Sequence, residues 1–98
     1  MPSYRVIMTV GALRPGTSPE SIVPAAADAV AEFATVEAKQ LGVVSGEARV
    51  TVRFTEDDDD VAVQIGEHAV RALDARIQVV AWRVTRRRGG TWPVVAAG

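Results

Sequence analysis

From Ala48 to Thr55 the chain alternates without a break, with Ala48, Val50, Val52 and Phe54 on one side and Arg49, Thr51, Arg53 and Thr55 on the other. A period of two is the signature of a strand with one face buried and one face in water. The stretch therefore commits the chain to an amphipathic sheet. Its apolar face needs a layer of cover, and its arginine face needs water or a partner. Tyr4 to Val10 repeats the pattern, with Tyr4, Val6, Met8 and Val10 opposite Arg5, Ile7 and Thr9.

Between these strands lies a segment with helical spacing. "GALRPGTSPES" reads as a loop, rich in Gly, Pro and Ser. Pro24 sets where the helix begins, because proline is tolerated in the first turn and costly further in. Ser21 as N-cap satisfies that condition and Ser18 does not. Val23, Ala26, Ala27, Val30, Phe33 and Ala34 then share one stripe.

The end of this helix has two readings. Apolar spacing continues through Ala38 and Leu41 to a capping Gly42, which would give three strands joined by two long crossovers. The other reading stops the helix near Ala34, makes "TVEAKQLGVV" a strand, and turns it at Ser45–Gly46 into the strand that follows. β-Branched Thr35 and Val36 and the Ser-Gly turn favour the second reading, with Gly42 as a bulge or bend.

"DDDD" at Asp57–Asp60 is a poor cation cage. Adjacent side chains diverge, and the alternate spacing, glycine and distal glutamate of a calcium loop are missing. Asp57 as N-cap, with Asp58, Asp59 and Asp60 in the first turn, accounts for the run, since each acid near a helix N-terminus contributes about 0.3–1 kcal/mol. The helix would run to about Asp74 with Val61, Ile65, Ala69 and Ala72 toward the sheet. His68 would then lie at the stripe's edge, and Val63, Gly66 and Val70 on the far side. "RIQVVAWRVTRR" is a last strand, with Ile77, Val79 and Ala81 on one face and Gln78, Val80, Trp82 and Val84 on the other.

The order is β-α-β-β-α-β. Two β-α-β halves joined by a hairpin resemble a ferredoxin-like plait, an α+β fold with a four-stranded antiparallel sheet and two helices on one face. Residues 1–89 would form this single domain, and 90–98 a C-terminal tail with strand character near Trp92 to Val95.

Charge and composition narrow the function. The net charge is -1, cysteine is absent and there is one histidine. Disulfides, thiolate metal sites, cysteine nucleophiles and multi-histidine sites within the chain are excluded. The expectation is that no cofactor and no metal is bound. No leader and no apolar stretch of about 18 residues is apparent, so a cytoplasmic protein without a membrane span is expected. All but one of the basic residues are arginine, which we read as bacterial codon bias. Arg14 with Ser18–Ser21 forms a weak candidate anion site ahead of a helix.

The surface that stands out is the sheet face away from the helices. Arg5, Thr9, Arg49, Thr51, Arg53 and Trp82 are expected there as a ligand-binding set. RNA-recognition domains use this face but stack bases on aromatics of the central strands, which here are Ile7, Thr9, Arg49, Thr51 and Arg53. The leading expectation is a self-associating module that binds a small molecule or a protein. One alternative is a cofactor-independent enzyme resembling dimeric α+β barrels, with its pocket on the open face. Another is nucleic-acid binding through Arg86–Arg88, which the near-zero net charge disfavours. A homo-oligomer is expected because Trp82, Val80 and Val84 would otherwise stay uncovered. Burying an aromatic of this size is worth about 1.5–3 kcal/mol or more. The competing cover for Trp82 is the tail itself, folded back at "TWPVV".

Overall fold

A computed structural model describes all of residues 1–98. The chain runs β1 (Ser3–Leu13), a 3-10 turn (Pro19–Ser21), α1 (Ile22–Ala31), β2 (Thr35–Val44), β3 (Glu47–Thr55), α2 (Asp59–Asp74), β4 (Ile77–Arg86) and β5 (Val94–Ala97). The strands form one antiparallel sheet in the order β2-β3-β1-β4-β5. The class is α+β, as expected, but the sheet has five strands where four were expected. The tail supplies the fifth by pairing with β4. No helix is long and apolar enough to cross a membrane.

The helix between β1 and β2 begins at Ile22 with Ser21 in the N-cap position, leaving Pro24 in its first turn. The Ser21 hydroxyl does not cap it; it donates to the Ser18 carbonyl at 2.8 Å. The helix ends at Ala31, and the chain enters β2 at Thr35, so the hairpin reading holds. Ser45 and Gly46 adopt φ of 52° and 79°. Two successive positive φ values make the two-residue turn whose twist matches the flanking strands. Gly42 marks no irregularity; the bulge in β2 lies between Val36 and Ala38, at Glu37.

One apolar core joins the sheet to both helices. Tyr4, Val6 and Met8 of β1 lie directly opposite Phe54, Val52 and Val50 of β3, and all are buried. The Tyr4 and Phe54 rings stack at 5.8 Å. Ile22, Ala26 and Val30 of α1 and Ala62, Ile65, Ala69 and Leu73 of α2 close over them.

Two phases differ from expectation. In α2 the stripe toward the sheet is Ala62, Ile65, Gly66, Ala69 and Leu73, one position round from the expected set. Val61 is exposed, and Gly66, expected on the far side, is buried against β4. A Cβ there would stand 2.5 Å from Cγ2 of Val84. Small residues face the sheet because the helix lies so close to it. Asp58, not Asp57, is the N-cap, and its carboxylate accepts from the N–H groups of Asp60 and Val61.

In β4 a bulge shifts the register. Val10 pairs with Val79 but Thr9 with Ala81, so one extra residue, Val80, sits between the pairs. Beyond it Trp82 lies opposite Met8 and Val84 opposite Val6. Opposed residues of an antiparallel pair share a face. Trp82 and Val84 therefore join Ile77 and Val79 on the helix side, and Ala81, Arg83 and Thr85 occupy the open side.

Candidate functional site

The open face is a grid of cross-strand pairs. One row runs Ala38, Arg53, Arg5, Thr85; the next Gln40, Thr51, Ile7, Arg83; the third Gly42, Arg49, Thr9, Ala81. Five of the six residues expected to bind ligand, Arg5, Thr9, Arg49, Thr51 and Arg53, are brought together here. Trp82 is not. It packs from the helix side against the core, next to Glu67, Val70 and Arg71 of α2, and its backbone exchanges two hydrogen bonds with Gly98. The cause is the β4 bulge, which reverses the alternation counted from Ile77. Arg83 takes the vacated place on the open face.

The tail adds a second tryptophan to that face. Residues Arg88 and Thr91 bond to each other through their backbones around Gly89 at φ 59°. This tight reversal carries Trp92 over the sheet, where its ring centre lies 3.8 Å from the Arg5 guanidinium carbon and 5.1 Å from that of Arg53. Arg5 and Arg53 are directly opposed, a pairing that like charge disfavours. The π-face of Trp92 attracts both cations, and Glu37 offsets one of them. The β2 bulge lets Glu37 reach this side, where it accepts from Ser3 Oγ at 2.7 Å and from Arg53 Nε at 3.2 Å. The Ser3 hydroxyl and the Arg53 guanidinium hold its carboxyl below the usual glutamate value.

The other arginines of the face are unpaired. Arg5, Arg49 and Arg83 have no carboxylate within 4.0 Å, the ion pairs of the chain being Arg14–Asp74, Arg53–Glu37, His68–Glu32 and Arg86–Asp59. Arg49 Nε is buried without a hydrogen-bond partner. A net charge of -1 thus conceals two opposite surfaces. Asp28, Asp60, Glu67 and Asp74 lie on the helices, whereas the sheet carries only Glu37 and Glu47 as acids.

Recesses on the open face are small. One of about 100 Å³ is lined by Arg5, Ala38, Gln40, Thr51 and Arg53, among others, and a second of about 210 Å³ lies beside β5, lined by Ile7, Thr9, Ala81 and Arg83 with Trp82, Ala97 and Gly98. Sites that enclose a small molecule run to about 300–1,000 Å³, so this face can grip an anionic group but cannot engulf a whole ligand. A recess of about 260 Å³ lies on the helix side, between Phe33 and Val61, Ile65 and His68. There His68 is half-buried, edge-on to Phe33, with Nε2 2.9 Å from Glu32.

The remaining candidates are engaged within the chain. Arg14 bonds the carbonyl of Asp74 and its carboxylate, and Arg76 donates to the Ser21 hydroxyl; the loop is strapped to the end of α2. Arg86–Arg88 do not act as one patch. Arg86 turns inward and donates to Asp59 at 2.8 Å, and Arg87 donates to the Gly89 carbonyl. Asp59 also accepts from the buried Tyr4 hydroxyl. Burial, followed by that bond to Asp59, pushes Tyr4 up to about 12. The Tyr4 hydroxyl and Arg86 hold Asp59 below the ordinary aspartate value.

Sequence reasoning missed Arg83, Trp92, Glu37 and Ser3. Only Trp92 had a signal, the Gly89–Gly90 turn ahead of "TWPVV". No protein-family model, curated protein or solved structure matches this chain.

Proposed function

We propose that the chain is a small binding module whose open sheet face holds an anionic group of a small-molecule or protein ligand. The observation that carries this reading is the set of three guanidinia, Arg5, Arg49 and Arg83, half-buried on one face without carboxylate partners. Arginine forks match carboxylate and phosphate oxygens in pairs. Thr9 and Thr51 stand between the arginines as neutral donors.

The fold reading that goes with it is a ferredoxin-like plait extended by β5, supported by the β-α-β-β-α-β order and by β1 and β3 at the centre of the sheet. A cytoplasmic setting is retained as part of the proposal. The premise of self-association, an uncovered Trp82, does not hold, because that ring packs on α2. Sheet-to-sheet pairing, as in a dimeric barrel enzyme, would also set two arginine-rich faces against each other.

Titration of the isotopically labelled chain with citrate and with inorganic pyrophosphate tests the proposal. Saturable shifts of the Nε–H signals of Arg5, Arg49 and Arg83, weakening as salt rises, are the expected result. Absence of saturation, or shifts confined to Arg87 and Arg88, would reject it in favour of no site or of a basic chain end.

A further inference from the structure

We propose that β2 accepts an added strand from a partner protein, an extended segment in which acidic and apolar residues alternate. This rests on the reading of the open face as an anion site and names the kind of ligand that reaches it. β2 is an edge strand of ten residues, Thr35–Val44, without proline; the opposite edge, β5, has four. No backbone hydrogen bond outside the β2–β3 ladder involves residues 35–44. Such an edge is a ready template for a further strand.

The side chains on its two faces specify the guest. On the open face Ala38 lies beside Arg53 and Gly42 beside Arg49. The smallest side chains of β2 thus stand next to the two arginines of β3. Strands lie about 4.8 Å apart, so a strand outside β2 is about 10 Å from β3. An arginine and a glutamate extended toward each other close that distance, and Ala38 and Gly42 leave the way open. Arg49 is the main anchor, since it has no acid of its own and its Nε is an orphan. Arg53 already shares Glu37. On the other face β2 presents Leu41, 58% exposed, and Val43, 72% exposed, beside Val50 and Ala48. Alternate residues of the guest would cover them. The guest therefore carries acids on one face, two of them about 13 Å apart at positions i and i+4, and apolar residues on the other. A second copy of β2 is a poor match, because its one acid, Glu37, is held by Ser3 and Arg53.

The test uses the full chain and a capped ten-residue peptide of alternating glutamate and valine, with a lysine–valine peptide as control. The expected result is that the glutamate peptide slows hydrogen exchange at alternate β2 amides and the lysine peptide does not. Arg49→Gln and Gly42→Glu should each weaken binding about tenfold, less than the loss on truncating one partner of a fully buried charge pair. A Cβ at Gly42 meets nothing within 4 Å, so the second variant keeps the fold while placing its own carboxylate beside Arg49. Arginine shifts without β2 protection would overturn the added strand and leave the anion face standing. Equal binding of the lysine peptide, or β2 protection that rises with protein concentration alone, would also overturn it, the latter in favour of a second copy. No response to citrate, pyrophosphate or peptide would remove both readings.

Discussion

The Arg5 guanidinium carbon lies 3.8 Å from the centre of the Trp92 ring. This contact ties the tail to the sheet and places an aromatic where two opposed arginines would otherwise repel. Trp92→Ala removes both the cation–π attraction, about 0.5–2 kcal/mol, and the apolar area of the ring. The expected loss of stability is about 1–3 kcal/mol, read as a lower urea midpoint with an unchanged slope. A midpoint within error of the parent would mean that the ring does not hold the tail down.

Tyr4 is the only tyrosine, so its ionisation can be followed by absorbance without overlap. Its folded value, about 12, lies above the ordinary value of 10.0. The fold therefore favours the neutral hydroxyl. That contribution is complete below about pH 10 and is lost as pH rises from there through about 12. The tyrosinate band should stay absent from the native chain until about pH 12 and appear near 10 in urea. Equal midpoints in the two conditions would contradict the buried Tyr4–Asp59 bond. Tyr4→Phe should cost about 1.5–3 kcal/mol, the net value of a hydrogen bond to a charged group.

Asp59 and Glu37 act in the opposite pH range. Both carboxyls are held below their ordinary values, Asp59 by Tyr4 and Arg86 and Glu37 by Ser3 and Arg53. A depressed folded value gives stability that is present above the unfolded pKa and is lost as pH falls through the folded one. The parent should lose urea resistance as pH drops below about 4, and the double variant Asp59→Asn, Glu37→Gln should show a flatter acid limb. An unchanged limb would assign acid sensitivity to other carboxylates.

Gly66→Ala sets two effects against each other. Alanine gains about 1 kcal/mol of helix propensity over glycine. Its Cβ would stand 2.5 Å from Cγ2 of Val84, a stiff β-branched side chain in a filled core, and such overpacking costs about 1–3 kcal/mol. Overpacking should win, giving a lower melting temperature. A higher one would mean that α2 shifts away from β4 at little cost.

Asp58→Ala removes the side chain that accepts from the Asp60 and Val61 N–H groups. It should cost about 1 kcal/mol. Asp57→Ala should cost less, because Asp57 stands outside the helix and caps nothing. Equal losses for the two would return the cap to Asp57.

Much of the sheet was legible in residue order alone. Alternation in Tyr4–Val10 and Ala48–Thr55 identifies two central strands and their buried faces, because a strand's two faces follow from its own backbone. Pro24 and the Ser45–Gly46 turn fix where α1 begins and where the hairpin reverses, through backbone angles that few residues adopt. These are local constraints, and they gave five of the six expected residues of the open face. Tertiary structure decided the rest. The bulge at Val80 exists only in the pairing of β4 with β1, and it moves Trp82 to the helix side and Arg83 to the open side. The bulge at Glu37 depends on β3 in the same way and supplies the one acid paired on that face. The phase of α2 was set by how closely a helix can approach the sheet, which selects Gly66 over the larger Val61. Trp92 reaches the arginines by a reversal at Gly89 that the local sequence permits, and only the cations of two distant strands make it favourable.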